Sequence, residues 1–392
     1  MRSGSLILSV IVPVHNGGRV LGRALGALAA SDLSRECWEL LVVDDASTDD
    51  SAAIAAEYAD RIVRMPGPPH GPAYARNRGA EMSHGEFLLF VDADVCVHPD
   101  ALRRVASVLA HRPDVSAVFG SYDDRPAAPG LVSPYRNLLH HYVHQRNGGP
   151  AETFWGGCGA VRRDAFLQAG MYDEWRFPRP QIEDIELGYR LRAVGHQILL
   201  CPEIQGTHLK RWTLREVIRT DLRDRGVPWM RLLIRDSAAM RSRALNLATR
   251  ERLCATLVWI AIALLPVAAL RREPAWLFAS LAALVIVVVA NLGLYAFFTR
   301  CRGLAFALGT VPLHVLYYGL TGCSVLAGWV LHQMVGEPRP DPVVEAYAEV
   351  GLEVWPPVPR RPGAPFVAGS PFHRTELRSP ALDRGVPHVD RA

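Results

Sequence analysis

Residues 86–94 read EFLLFVDAD, an apolar run from Phe87 to Val91 that stops at Asp92, with Asp94 two positions on. Its length and its aromatic and β-branched content predict a buried strand. The abrupt stop on carboxylates predicts a ligand-binding edge, because open α/β sheets present ligands at the carboxyl ends of their strands. On a pleated strand, residues 92 and 94 would point the same way and could share a divalent cation.

The same pattern recurs upstream. LILSVIVPV (6–14) runs into His15 and Asn16, and Leu40–Val43 runs into Asp44 and Asp45. Between these strands the spacing predicts helices over about 18–30, with Val20, Leu21, Leu25 and Leu28 on one stripe, and over 51–58, opened by Ser47, Thr48 and Asp49. PGPPHGP (66–72) reads as a loop, and 73–82 and 101–110 read as helices. Strands and helices alternating at this rhythm imply right-handed βαβ crossovers and an α/β fold with a mostly parallel sheet. From Asp123 to Ala151 the pattern loosens into Pro, Asn, Gly and a His-rich stretch with no clear element. Residues 165–170 and 185–194 then read as helical, and 196–200 as a strand.

Charge and hydropathy divide the rest. The net charge is +4, yet between Leu209 and Arg252 twelve Lys/Arg face five Asp/Glu. A basic belt just before an apolar block suits an anionic membrane surface. No recognition motif or interleaved aromatic pattern accompanies it, so nucleic acid is not expected as a partner. Thr213 and Glu216 form a capping box, and the helix they open carries Leu214, Val217, Ile218 and Leu222 on one side with Arg215, Arg219 and Arg223 elsewhere, as a helix lying in a membrane interface would. Three uncharged apolar spans follow, at 253–270, 275–298 and 304–335. Each is long enough to cross a hydrocarbon core of ~30 Å at ~1.5 Å per residue. Residues 336–392, rich in Pro and Arg, read as an unstructured tail. The predicted division is therefore 1–212, 213–252, 253–335 and 336–392. Seven scattered cysteines with no CxxC spacing argue for a reduced compartment and against zinc or a disulfide framework. Leu6–Val14 could pass for a weak signal peptide, but it lacks a small-residue cleavage site and reads better as a first strand.

Six blocks in order, SVIVPVHN (9–16), LLVVDDASTDDS (40–51), GPAYARNRGA (71–80), FLLFVDAD (87–94), WGGCGAVRRDAFLQAGMYDE (155–174) and IEDIELGYRLRAVG (182–195), resemble the successive blocks of family-2 glycosyltransferases of the GT-A fold. The resemblance covers roughly residues 6–212 and implies a Rossmann-like GT-A domain, here followed by a transmembrane helical region. It implies that Asp44 and Asp45 hold the donor nucleotide, with Pro13, His15 and Asn16 as a neighbouring wall. An Asx turn would also account for the two aspartates. Asp92 and Asp94 resemble the DXD signature, which implies Mg²⁺ or Mn²⁺ against the donor diphosphate, with Asp94 the more direct ligand and Asp92 nearer the ribose or sugar. Arg76 is placed to reach the phosphates, or is an ordinary exposed helix arginine.

Of the ED pair, Asp184 is expected to be the general base, with Glu183 beside it and Gly156 and Gly157 forming a floor that admits the acceptor. His208, Arg211 and Trp212 resemble a QxxRW motif with His in place of Gln. Trp212 would stack on the acceptor, Arg211 approach the diphosphate and His208 complete the metal shell. His140, His141 and His144 give no metal site by spacing alone and read as a polar face near the acceptor. The resemblance implies an inverting, metal-dependent transfer of a sugar from a nucleotide-sugar donor to a lipid-linked or membrane-proximal glycan acceptor. A processive polysaccharide synthase and a silent nucleotide-sugar-binding protein are the alternatives. Membrane lipids are expected partners. The single lysine, Lys210, among 43 Lys+Arg hints at a GC-rich bacterial genome. The location expected is thus a bacterial plasma membrane, multi-pass, with residues 1–250 on the cytoplasmic side, where nucleotide sugars are.

Overall fold

The computed structural model describes residues 6–236, 248–336 and 353–354 of the chain. One sheet organises the first two hundred residues. Its strands are β1 (Leu8–Val14), β2 (Trp38–Asp44), β3 (Arg61–Arg64), β4 (Phe87–Val91), β5 (Val95–Val97), β6 (Val115–Tyr122), β7 (Gly149–Ala151), β8 (Cys158–Arg162), β9 (Gln197–His208) and β10 (Glu353–Val354). Their order is β10-β3-β2-β1-β4-β8-β6-β9-β5, with β7 also on β9.

The block β3-β2-β1-β4 is parallel, as the alternation predicts, with Val14 opposite Asp44 and Ile11 opposite Phe90. All three apolar runs therefore end on one edge. β8 then runs antiparallel to β4 and to β6, and β5 and β7 run antiparallel to β9. The sheet is mixed rather than mostly parallel. The reason is connectivity: a tight turn joins β4 to β5, and β8 enters only after a helical excursion that reverses its direction.

β4 and β6 are buried at every residue, and β1 and β2 nearly so. Helix Gly18–Ala29 covers the sheet with Leu21, Leu25 and Leu28, and helix Ala101–His111 with Leu102, Val105 and Leu109. Each such side chain contributes roughly 1.5–3 kcal/mol when fully withdrawn from water.

The stretch read as structureless, 123–151, holds a fifteen-residue helix, Val132–Arg146. Its apolar stripe is masked because it is buried on two sides. Tyr135, Leu138 and Tyr142 pack on Leu294, Tyr295 and Phe298, while the His141 and His144 rings bond the carbonyls of Tyr122 and Gly120 on β6. Satisfied buried histidines look like a polar face in the sequence.

The capping box at Thr213–Glu216 is present in both halves. The helix it opens runs through a π-helical turn, Thr220–Gly226, into Val227–Arg235. Residues 237–247 of the interfacial segment, and all of the 337–392 tail except 353–354, lie outside the described residues.

Beyond these come four helices: Thr249–Arg271, Pro274–Ala290, Leu292–Arg302 and Leu304–Val335. The first and last are long and apolar enough to cross a membrane, and the middle pair, bent by 62°, would make a third crossing only if counted as one span. The uninterrupted span expected at 275–298 is thus broken, at Asn291. The buried Asn291 amide donates to the Val287 carbonyl at 2.9 Å and accepts from the Tyr318 hydroxyl at 3.4 Å. An asparagine bonding its own helix backbone competes with the helical ladder, and here the chain turns.

Helix Glu183–Ala193 is held against residues 153–154 by Gly188, where a Cβ would lie 2.3 Å from the Phe154 nitrogen. In a helix interior Ala is favoured over Gly by about 1 kcal/mol. Gly188→Ala is nevertheless expected to destabilise, because the neighbour is backbone and overpacking costs about 1–3 kcal/mol. A lowered melting temperature in thermal unfolding checks the sign.

Candidate functional site

Asp92 and Asp94 lie in the turn between β4 and β5, closed by the Val95 N–H donating to the Asp92 carbonyl at 3.0 Å. They are not on the pleated strand, so their carboxylates diverge. Asp92 Oδ1 accepts from Arg76 at 2.7 Å, whereas Asp94 Oδ2 lies 3.4 Å from His208 Nε2. Burial, and then the neighbouring Asp94, push the Asp92 pKa up against the pull of Arg76. Burial also acts to raise Asp94, but contact with His208, aided by Lys210, overrides it and holds that carboxyl below its usual range.

Arg76, on helix Pro72–Glu81, is only 4% exposed, unlike an ordinary surface arginine. Its second terminal nitrogen donates to Glu183 Oε1 at 2.8 Å. Both ends of the guanidinium are therefore committed to protein carboxylates. This splits the ED pair. Glu183 turns inward to Arg76, and its Oε2 accepts the Gln181 N–H at 2.9 Å. Asp184 turns outward, and its carboxylate accepts the Gly156 N–H at 3.1 Å and the Ile185 N–H at 2.8 Å. Burial, and then the charge of Glu183, push its pKa up to about 6. Gly156 and Gly157 are buried, and the space a side chain would need is taken by the Arg76 guanidinium and the Trp155 ring respectively.

Asp44 and Asp45 are bonded to backbone. Asp44 accepts the Ser47 N–H at 3.0 Å, and Asp45 accepts the Gly71 N–H at 2.7 Å and the His70 N–H at 2.9 Å. Asp45 thereby fastens the PGPPHGP loop to the end of β2. His15 bonds the Asp45 carbonyl at 2.7 Å, and Asn16, at a positive φ of 51°, accepts the Thr48 N–H at 2.8 Å. Both are exposed and Pro13 is half-buried beside them. Gly17 carries this turn against Ala93, so the β1 and β4 edges meet.

On the far side, His208 ends β9. Its ring stacks on Tyr122 at 4.3 Å, and Nδ1 lies 2.7 Å from Asn137 Oδ1, leaving Nε2 toward Asp94. Trp212 is half-buried, its N–H held by Ser133 at 2.6 Å and its ring 4.1 Å from the Lys210 ammonium. Arg211 is exposed, with no partner among the described residues. Asn137 and Tyr122 were not anticipated. Asn137 sits in the stretch read without an element and Tyr122 just before it, and their partner His208 is 71 or more positions away. Among the described residues no three His, Cys, Asp or Glu side chains form a metal-binding group by themselves.

Asp184 faces a cavity of about 220 Å³ between the sheet domain and the helices beyond residue 213. Helix 132–146, residues 153–155, the π-helical turn and helix Leu304–Val335 supply most of its wall. Neither Asp92 nor Asp94 lines it. Asp92 is linked toward it through Arg76 to Glu183, the residue before Asp184, whereas Asp94 is held by His208.

Residues 9–169 match the family model described as Glycosyl transferase family 2. Validoxylamine A glucosyltransferase of Streptomyces hygroscopicus subsp. jinggangensis is 29% identical over 231 residues, 51% of this chain and 54% of that protein. A poly(ribitol-phosphate) beta-N-acetylglucosaminyltransferase of Staphylococcus aureus is 33% identical over 112 residues, 27% of this chain and 20% of that protein. The chain spans about half the length, or less, of these relatives. Among solved structures, a mannosyltransferase from Pyrobaculum calidifontis, in complex with GDP-Man and Mn²⁺, aligns with a TM-score of 0.50 at 19% identity, over 84% of this chain and 88% of that one. That likeness shows the GT-A fold.

A carboxylate with a pKa of about 6 is protonated below that pH and ionised above it. Any reaction using Asp184 as a base is expected to rise tenfold per pH unit below about 6 and to level off above it. A pH–rate profile from 4.5 to 8 checks this, and a limb that persists in Asp184→Asn would assign the titration elsewhere.

Proposed function

We propose, from a chain whose residues 9–169 belong to glycosyl transferase family 2, that it moves a sugar from a nucleotide-sugar donor to a lipid-linked or membrane-proximal acceptor, with inversion at the anomeric carbon. The observation that carries this reading is Asp184. Its carboxylate is aimed into a cavity, its pKa is raised toward neutrality, and its neighbour Glu183 is tied through Arg76 to Asp92.

In this reading Asp184 removes the acceptor's proton as its oxygen attacks, which accounts for a base kept desolvated and oriented by two backbone N–H groups. Arg76 orients Asp92 and Glu183. It does not reach for the phosphates itself. Pro13, His15 and Asn16, with Asp44 and Asp45, form the donor edge, where the two aspartates shape the turn and the 66–72 loop that enclose the nucleotide.

Asp94 and His208 fit a divalent cation. One is a carboxylate with depressed pKa, and the other an imidazole whose far nitrogen is fixed by Asn137, the usual support of a ligating histidine. The donor diphosphate would supply further oxygens. Bound there, Mg²⁺ or Mn²⁺ would offset the charge developing on the leaving diphosphate. The Mn²⁺ in the Pyrobaculum mannosyltransferase complex supports this choice.

The reading places the sheet domain on the cytoplasmic face of a bacterial plasma membrane. The basic belt of 209–252 would meet anionic lipid, and the two long apolar helices would cross. Trp212 and the exposed Arg211 then lie at the membrane surface.

The test is incubation of the purified chain with Mn²⁺, a panel of labelled UDP-, GDP- and TDP-sugars and a bacterial lipid extract, followed by identification of the labelled product. Asp184→Asn is expected to bind the donor normally and to lose roughly 10²–10⁴-fold in transfer. Full turnover by that variant would refute the assignment. Asn137→Leu is expected to raise the Mn²⁺ concentration for half-maximal rate by about 10–100-fold, read from a metal titration.

A further inference from the structure

We propose that the cavity beside Asp184 binds an amphiphile with an anionic phosphate head and an apolar tail, and that Arg225 is the residue that selects the anion. This rests on the preceding reading and names the chemical class of its acceptor.

The hydrogen-bonding capacity of the cavity wall is lopsided. Its carboxylates other than Asp184 are already engaged. Asp221 is bound at both oxygens by Arg136, one of them at 3.0 Å, and Glu251 accepts the Tyr318 hydroxyl at 2.8 Å and pairs with Arg250. What is left over is mostly donor. Arg225 is exposed and makes no hydrogen bond or ion pair with any described residue. Trp229 Nε1 and His140 Nδ1 are buried there without partners among the described residues. Burial holds the His140 pKa well below its ordinary value, so that ring is neutral near pH 7, and its Nδ1 is a donor in the tautomer that carries the proton there. Orphaned buried polar atoms are costly, and a cation beside them with no directly bonded carboxylate invites an anion with several acceptor oxygens.

The position of Arg225 is built. It lies in the π-helical turn Thr220–Gly226, a widened turn of the kind found at functional sites. One end of the turn is fixed by the Arg136–Asp221 pair. At the other end Gly226 lies so close to helix Leu304–Val335 that a Cβ would come within 2.1 Å of Ser324 Oγ. The turn thus presents Arg225 to the same space as Asp184, and its charge partly counters the effect of burial on that carboxyl.

Much of the rest of the wall is apolar, including Leu139, Val143, Met230, Leu233 and Val325. Val325 lies on the long apolar helix, and beyond it Leu326 and Trp329 are exposed at 59% and 51%. An apolar tail leaving the cavity along that helix passes directly into lipid, which a free sugar phosphate would have no reason to do. The observations favour a phosphate carried on a lipid.

The full chain, in nanodiscs of phosphatidylcholine, is titrated with farnesyl phosphate, farnesol and inorganic phosphate, read by the change in intrinsic tryptophan fluorescence, to which Trp155 and Trp229 on the cavity wall contribute. Farnesyl phosphate is expected to bind at least about tenfold more tightly than farnesol, the effect of one charge-assisted interaction, and inorganic phosphate to bind more weakly than either. Arg225→Gln is expected to bring the phosphate-to-alcohol ratio near one, and Arg225→Lys to keep part of it, with melting temperatures confirming that both variants are folded. Equal affinity for farnesyl phosphate and farnesol in the unchanged chain, or an unchanged ratio in Arg225→Gln, overturns the proposal. So does inorganic phosphate binding as tightly as farnesyl phosphate. If Arg225→Gln does not fold, the three-ligand comparison in the unchanged chain still decides. Failure of the glycosyl-transfer reading looks different: farnesyl phosphate binds as expected while UDP- and GDP-sugars neither bind nor turn over.

Discussion

Arg76 is a cation almost wholly removed from water, and its two terminal nitrogens meet Asp92 and Glu183 at 2.7 and 2.8 Å. A buried charge of this kind is tolerable only with close, well-aligned counter-charges, and removing one partner typically costs about 3–5 kcal/mol. The arrangement ties helix Pro72–Glu81 and the turn after β4 to the start of helix Glu183–Ala193, with Arg76 and Glu183 107 residues apart in the chain. Because Glu183 is drawn inward to satisfy Arg76, the next side chain on the helix, Asp184, is left facing the cavity. One ion triad thus decides which of two adjacent carboxylates faces the cavity, where the proposed base must be.

Helix Val132–Arg146 has a comparable role one layer away. Asn137 steadies the His208 imidazole, while Tyr135 and Tyr142 pack on the helices beyond residue 290. The same fifteen residues therefore brace the ring nearest Asp94 and anchor the apolar helices. A rigid element shared between two layers transmits position, so the orientation of the helices relative to Asp94 and His208 is set by packing rather than by a linker.

What the sequence made legible was whatever is encoded locally. Leu40–Val43 and Phe87–Val91 announce themselves as buried strands because a strand covered on both faces needs a continuous apolar run. Thr213–Glu216 announces a helix start because capping depends on residues three apart. The ED pair and the aspartates after β2 and β4 were visible for the same reason. The unread features depend on partners far along the chain. The partners of Arg76, Asn137 and Arg136 lie 107, 71 and 85 positions away, so no window around any of them reveals burial or pairing. Asn291 breaks its helix only because Tyr318 and Val287 engage its amide. Gly156 and Gly157 suggested an open floor, yet the room they create is filled by Arg76 and Trp155. A glycine reports that something approaches closely, and it does not report what.

The division of labour across the sheet follows from these constraints. The carboxyl ends of β1, β2 and β4 share one edge, where Asn16, Asp45 and the 92–94 turn order the loops. Asp184 opens on a cavity whose far wall is helix Leu304–Val335. The proposed pair of substrates, a charged, water-soluble donor and an amphiphilic acceptor, would need such opposite approaches, because each would pay a large desolvation cost on the other's route. The two routes meet where Glu183 and Asp184 are consecutive in the chain. A single helix N-terminus therefore faces both, which is why its register, set by the contact of Gly188 with residues 153–154, matters to both halves of the site.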